Sequence, residues 1–172
     1  MNIKRKVITD KVVELPDNIT LVDKHVDYLS CQCHEIPKGI TAQEAYITMT
    51  SSQPKWLSML FSIRDILGKV GGVKAVKGFN KLEKKDFEIY DKIHFFNIVE
   101  KSDDKLTLML RDSHLDVCLC LVIVNSKLNS HTNELYLATS VKNKNFFGKL
   151  YMVPVSFIHP FIAKKLIFNI NA

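Results

Sequence analysis

The chain has 172 residues, 47% apolar and 24% charged, with a formal net charge of +6. This composition excludes a disordered or fibrous protein and leaves room for one domain with a real core and even a cavity inside it. The positive charge is almost all lysine, with Arg5, Arg64 and Arg111 the only arginines, so the arginine contacts used by sequence-reading nucleic-acid binders are missing and no nucleic-acid partner is expected.

Residues 1–26 read as an irregular arm with a turn at Leu15-Pro16-Asp17-Asn18, and 27–172 as the folded core. Asp27 to Glu35 suits a first strand, which Pro37-Lys38-Gly39 ends. Thr41-Ala42-Gln43-Glu44 is a capping box that opens a short helix. Pro54 starts a second helix, in which Trp56, Leu60, Ile63 and Leu67 form an apolar stripe and Gly71-Gly72 the stop. Lysines 69, 74, 77, 81, 84 and 85 crowd the next stretch, which reads as a solvated connection.

Strands then follow at Lys92–Glu100, Lys105–Arg111, Leu115–Asn125 and Glu134–Lys142, joined by short polar turns. Short joins imply antiparallel hairpins. Asn145 to Asn169 has helical period and is apolar almost all round, despite Pro154 and Pro160. Such a helix is normally buried by its own protein, and each proline should bend it. The expected fold is therefore α+β. A curved antiparallel sheet of five to seven strands wraps a long C-terminal helix, with two short helices after the first strand: a helix-grip arrangement in a single domain.

Four cysteines occur as Cys31-x-Cys33 and Cys118-x-Cys120. They suit small apolar core positions within strands better than a zinc site, so no metal is expected. The first residues carry charge but no apolar signal core, and no run of 18 uncharged apolar residues occurs. No leader and no membrane span are expected, and the compartment reads as cytoplasmic with reduced thiols.

Asp112, His114 and Asp116 alternate at the start of a strand. An extended backbone would place them on one side, neighbours roughly 6.6 Å apart, as a polar cluster for a ligand or a carboxylate that orients an imidazole. The plainer alternative is a capped turn with a histidine in solvent. Arg64 would either pair with Asp112 or Asp116 or meet an anionic headgroup. Trp56 is either a core anchor or part of a cavity mouth. His159 shares a helical stripe with Lys149, Met152 and Ser156, and Tyr151 lies on the same helix.

Trp56 to Gly72, then Asp112-Ser-His-Leu-Asp116, then Phe147-Gly-Lys-Leu-Tyr151 with His159-Pro160 beyond, resemble the bacterial domain of unknown function 2867 family over most of the chain. Family members usually carry proline and aromatic residues just before the C-terminal histidine. Here Phe157-Ile158 precede His159 and proline follows. The resemblance implies a compact domain, sometimes attached to nucleotide-dependent reductase-like domains, and no established activity or cofactor. Three readings follow. The first is a cavity between sheet and last helix that binds a small hydrophobic molecule, lined by Trp56, Arg64, Asp112, His114, Asp116, Tyr151 and His159. The second is an enzyme with His114 or His159 as acid or base. The third is a regulatory partner of a reductase-like enzyme, for which an exposed apolar patch or a homodimer through the last helix would speak. The first is the reading adopted from the sequence.

Overall fold

The computed structural model describes residues 15–51, 86–126 and 129–171. Strand β1 (Tyr28–Pro37) is followed by helix α1 (Ala42–Ser51). Strands β2 (Lys92–Ile93), β3 (Phe96–Lys101), β4 (Lys105–Arg111), β5 (Leu115–Asn125) and β6 (Thr132–Asn143) come next. Helix α2 (Phe146–Phe168) and a 3-10 turn (Asn169–Asn171) close the chain. The six strands form one antiparallel sheet in the order β1-β6-β5-β4-β3-β2. The expected α+β class, the strand count and the long C-terminal helix are all observed. Of the two expected short helices, α1 is the first; the second, with Trp56, Arg64 and the lysine run, lies outside the described residues.

The capping box forms as the residue types require. Glu44 N donates to Thr41 Oγ1 at 3.2 Å, and Thr41 N donates to Glu44 Oε2 at 2.9 Å. Both bonds satisfy donors that a helix start leaves open. The same bonds hold the Glu44 carboxyl below its ordinary range. Ala42, Ala45, Tyr46 and Met49 then turn into the core beside Leu106, Leu108 and Leu121.

The stretch read as one strand from Lys92 to Glu100 is two strands with a two-residue hairpin at His94-Phe95, Ile93 pairing with Phe96. His94 takes φ 55 there, a conformation usually left to glycine or asparagine. Its Nδ1 hydrogen-bonds the Tyr46 hydroxyl at 2.9 Å. Tyr46 is fully buried, and burial pushes its phenol far up. Tyr46→Phe should therefore lower stability by about 1–2 kcal/mol. A thermal melt checks this.

The sheet buries both faces. On one, here the palm, Ile98, Leu108, Leu119, Leu121, Ile123 and Leu137 pack with α1 and the end of α2. On the other, the segment before β1 lies across the strands. Thr20 N donates to Cys120 Sγ at 3.4 Å and Val22 N to Ser140 Oγ at 2.9 Å. Glu100 accepts from the Thr20 and Thr107 hydroxyls, each at 2.6 Å, and pairs with Lys105 at 3.0 Å. Burial alone would raise the Glu100 carboxyl, but these bonds outweigh it and hold it low. Cys31 and Cys118 sit under this segment, their thiols pushed up to about 12 by burial. They are small apolar fillers, as the sequence suggested, whereas Cys33 is exposed.

Helix α2 runs through Pro154 and Pro160 and packs across β1 and β6. The expectation that it is buried all round is corrected. Met152, Ala163, Leu166 and Ile167 are buried, while Phe146, Leu150, Val153, Phe157 and Phe161 face outward. A single helix laid on one sheet has only one face to bury, so an apolar composition on every side leaves the other in water. By length and composition α2 is long and apolar enough to cross a membrane (mean hydropathy 1.3), and 17% of that stretch is buried in this fold.

Candidate functional site

Two groups of polar side chains meet α2, one at its N-terminus and one midway. At the N-terminus, strand β5 begins at Leu115, and Asp112 N donates to Leu115 O at 3.0 Å to close the β4–β5 turn. Asp112 and His114 are therefore turn residues, so the expected run of three side chains along one extended strand is not formed. The turn docks on the helix start. Lys144 N donates to His114 O at 2.9 Å, and Lys144 Nζ to Asp112 O at 2.8 Å. Asn145 caps the helix by accepting from Gly148 N at 2.9 Å, and its Nδ2 donates to Ser113 O at 3.3 Å. One asparagine thus satisfies a helix donor and a turn carbonyl together.

Four of the sequence-predicted residues gather here. His114 is buried, its Nδ1 3.7 Å from Asp112 Oδ2. The edges of Phe147 and Tyr151 enclose it at ring distances of 5.6 and 5.5 Å. Asp116 pairs with Lys144 at 2.7 Å. The arrangement clamps a turn to a helix, and Phe147 and Tyr151 stand over the imidazole. Gly148 completes the clamp, because a Cβ there would lie 2.2 Å from His114 O. Trp56 and Arg64, the remaining predictions on the second helix, lie outside the described residues.

His159 stands apart from that clamp, in a seam between α2 and β1. Its Nδ1 is 3.4 Å from the Tyr28 hydroxyl, with the rings edge to face at 5.8 Å. Protein crowds the ring although part of it reaches the surface, and this desolvation lowers its pKa to about 4. The ring is neutral at neutral pH. Burial likewise raises the Tyr28 phenol, an effect that the nearby Ser30 eases. Because side chains alternate along a strand, Tyr28, Ser30, Gln32 and His34 share the palm face of β1, and His34 meets Phe168 at a ring distance of 4.7 Å.

Ser30 and its cross-strand partner Thr139 are buried beside one another. Ser30 Oγ makes no full hydrogen bond among the described residues, although it stands near enough to the Tyr28 hydroxyl to favour its ionised form. Next to it, Tyr28, Val141, Val117 and Leu110 form one row across four strands of the palm. Leu110 and Val117 are only partly buried. Sequence reasoning missed Tyr28, Ser30 and Gly148. The available signal was a polar alternation, Ser30-x-Gln32-x-His34, within a strand read from its apolar members.

These features define an α+β domain in which a capped C-terminal helix is clamped on one face of a six-stranded antiparallel sheet. The chain belongs to the family described as protein of unknown function DUF2867, whose model matches residues 23–166. No curated protein matches the chain.

Proposed function

We propose that the protein binds a small, largely apolar molecule bearing an uncharged polar group, seated against the palm between β1 and α2. The observation that carries this is the Ser30 hydroxyl, 1% exposed and without a full hydrogen bond among the described residues, beside the Tyr28 hydroxyl. A buried hydroxyl without a full hydrogen bond costs about 1–3 kcal/mol, and a ligand's donor or acceptor beside it would relieve that cost. The Tyr28 hydroxyl and neutral His159 stand on the same side. Neither carries charge at neutral pH, so both suit an alcohol, ketone or amide rather than an ion. The partly buried Leu110 and Val117 extend the apolar floor for the rest of the molecule. Binding sites of this type are mostly apolar with a few convergent polar groups.

Displacement of N-phenyl-1-naphthylamine by decanol tests the reading. Saturable probe binding is expected, with decanol displacing it. Ser30→Ala should weaken decanol by about 3- to 10-fold, the value of one neutral hydrogen bond, without weakening the fold. Absence of saturable binding, or equal decanol affinity in Ser30→Ala, contradicts it.

A further inference from the structure

We propose that the outer face of α2 pairs with the same face of a second copy of this chain, the two helices antiparallel and Phe157 on the two-fold axis. This concerns the face opposite the seam and is independent of the ligand reading. Phe146, Phe157 and Phe161 expose 79%, 74% and 73% of their surface, Leu150 and Val153 more than half, and Phe168 about half. Isolated exposed apolar residues need no explanation, but a contiguous stripe of this size marks an interaction surface.

The spacing selects the occupant. Phe146, Leu150, Val153, Phe157, Phe161, Lys164 and Phe168 follow one another by steps of four, three, four, four, three and four. These steps keep all seven on one helical face, and they read the same in both directions from Phe157. A two-fold axis through Phe157 therefore sets Phe146 against the partner's Phe168, Val153 against the partner's Phe161, and Leu150 against the stem of the partner's Lys164. An isologous interface requires this self-complementarity; a lipid surface or an unrelated protein does not.

The area is sufficient. With roughly 200 Å² for a whole phenylalanine, the exposed parts of these side chains come to about 700 Å² per copy. A stable interface uses about 800 Å² per partner. Charge makes a further demand. Helix α2 holds Lys149, Lys164 and Lys165 and no acidic residue. Pairing two such helices gathers like charge at the rim, so added salt should tighten the dimer.

Light scattering on the full chain at micromolar concentrations should give twice the monomer mass. Raising salt from about 0.05 to about 0.5 M should strengthen association. Phe157→Lys should weaken it at least about 100-fold by facing two charges across the axis, with unchanged circular dichroism because the position is exposed. On a Cys33→Ser background, which removes the exposed thiol, Phe157→Cys should cross-link to itself under a mild oxidant. Leu150→Cys should not, since the two copies of that position lie about 21 Å apart along the axis. A monomer at all concentrations overturns the proposal. So does a Phe157→Lys dimer of unchanged strength, a self-cross-link at position 150 rather than 157, or a monomer that binds phosphatidylglycerol vesicles and is released by salt.

Discussion

Gly148→Ala is expected to lower folding stability by about 3 kcal/mol, near the upper end of overpacking costs, and to reduce Tm by about 8 °C or more. Helix propensity alone predicts the opposite, a gain of up to about 1 kcal/mol when glycine in a helix becomes alanine. Geometry decides the sign. The new Cβ would sit 2.2 Å from His114 O and 3.1 Å from its carbonyl carbon. Both are backbone atoms, and that oxygen also accepts from Lys144 N at 2.9 Å. The turn therefore has little freedom to retreat, and relief requires the first turn of α2 to lift from the β4–β5 turn. That movement would also strain the Asn145 cap on Gly148 N. Lys149→Ala, on the exposed side of the same turn, should be neutral within about 0.5 kcal/mol. Denaturant melts of the two variants side by side check the prediction; stabilisation by Gly148→Ala would mean the turn does not dock on the helix start.

The second large effect is a pH dependence carried by His159. Its folded pKa, about 4, lies below the ordinary 6.5, so folding favours the neutral ring. The stabilisation is complete above the unfolded pKa and is lost as pH falls from about 6.5 toward 4. The full displacement corresponds to roughly 3 kcal/mol. The ring is not wholly enclosed, and solvent reduces that figure, so we expect about 2 kcal/mol. Protonation also ends the ring's capacity to accept from the Tyr28 hydroxyl 3.4 Å away. Carboxylates titrate in the same range, so the measured quantity is the difference from His159→Gln. The wild type should lose about 2 kcal/mol more than this variant between pH 7 and pH 4. Parallel stability curves for the two proteins would show that the ring is solvated.

The sheet was legible in the sequence where turn chemistry and alternation coincided. Strands β4 and β5 have the bounds expected from Asp112-Ser113 and the polar run after Asn125. The box at Thr41 marked α1 because its two bonds need only four residues. The β2–β3 hairpin was hidden because His94-Phe95 holds no glycine, asparagine or aspartate, and a bond to Tyr46 stabilises what local propensity does not. The outward face of α2 was hidden for another reason. A helix apolar on every side has no preferred face in its sequence; which residues turn inward depends on how Gly148, Met152 and Ala163 fit the sheet.

The candidate site divides similarly. Asp112, His114 and Asp116 were identified as residues that belong together, but their alternation suggested a strand where hairpin closure makes a turn, and Tyr151, placed with His159 on the last helix, meets His114 instead. Tyr28 and Ser30 were passed over because a half-buried strand points its polar side chains outward. Strand β1 is buried on both faces, with Leu29 and Cys31 on one and Tyr28, which meets His159 of α2, and Ser30 on the other. That double burial is a tertiary fact, and it makes a serine into a candidate binding group.

Nuclear magnetic resonance of the histidine side chains during a decanol titration tests the proposed binding at the seam most directly. If the alcohol binds beside Ser30 and Tyr28, the His159 ring signals should move saturably, while those of His131 in the β5–β6 loop stay in place. Unchanged His159 signals at saturating decanol, or equal movement at His131, would contradict it.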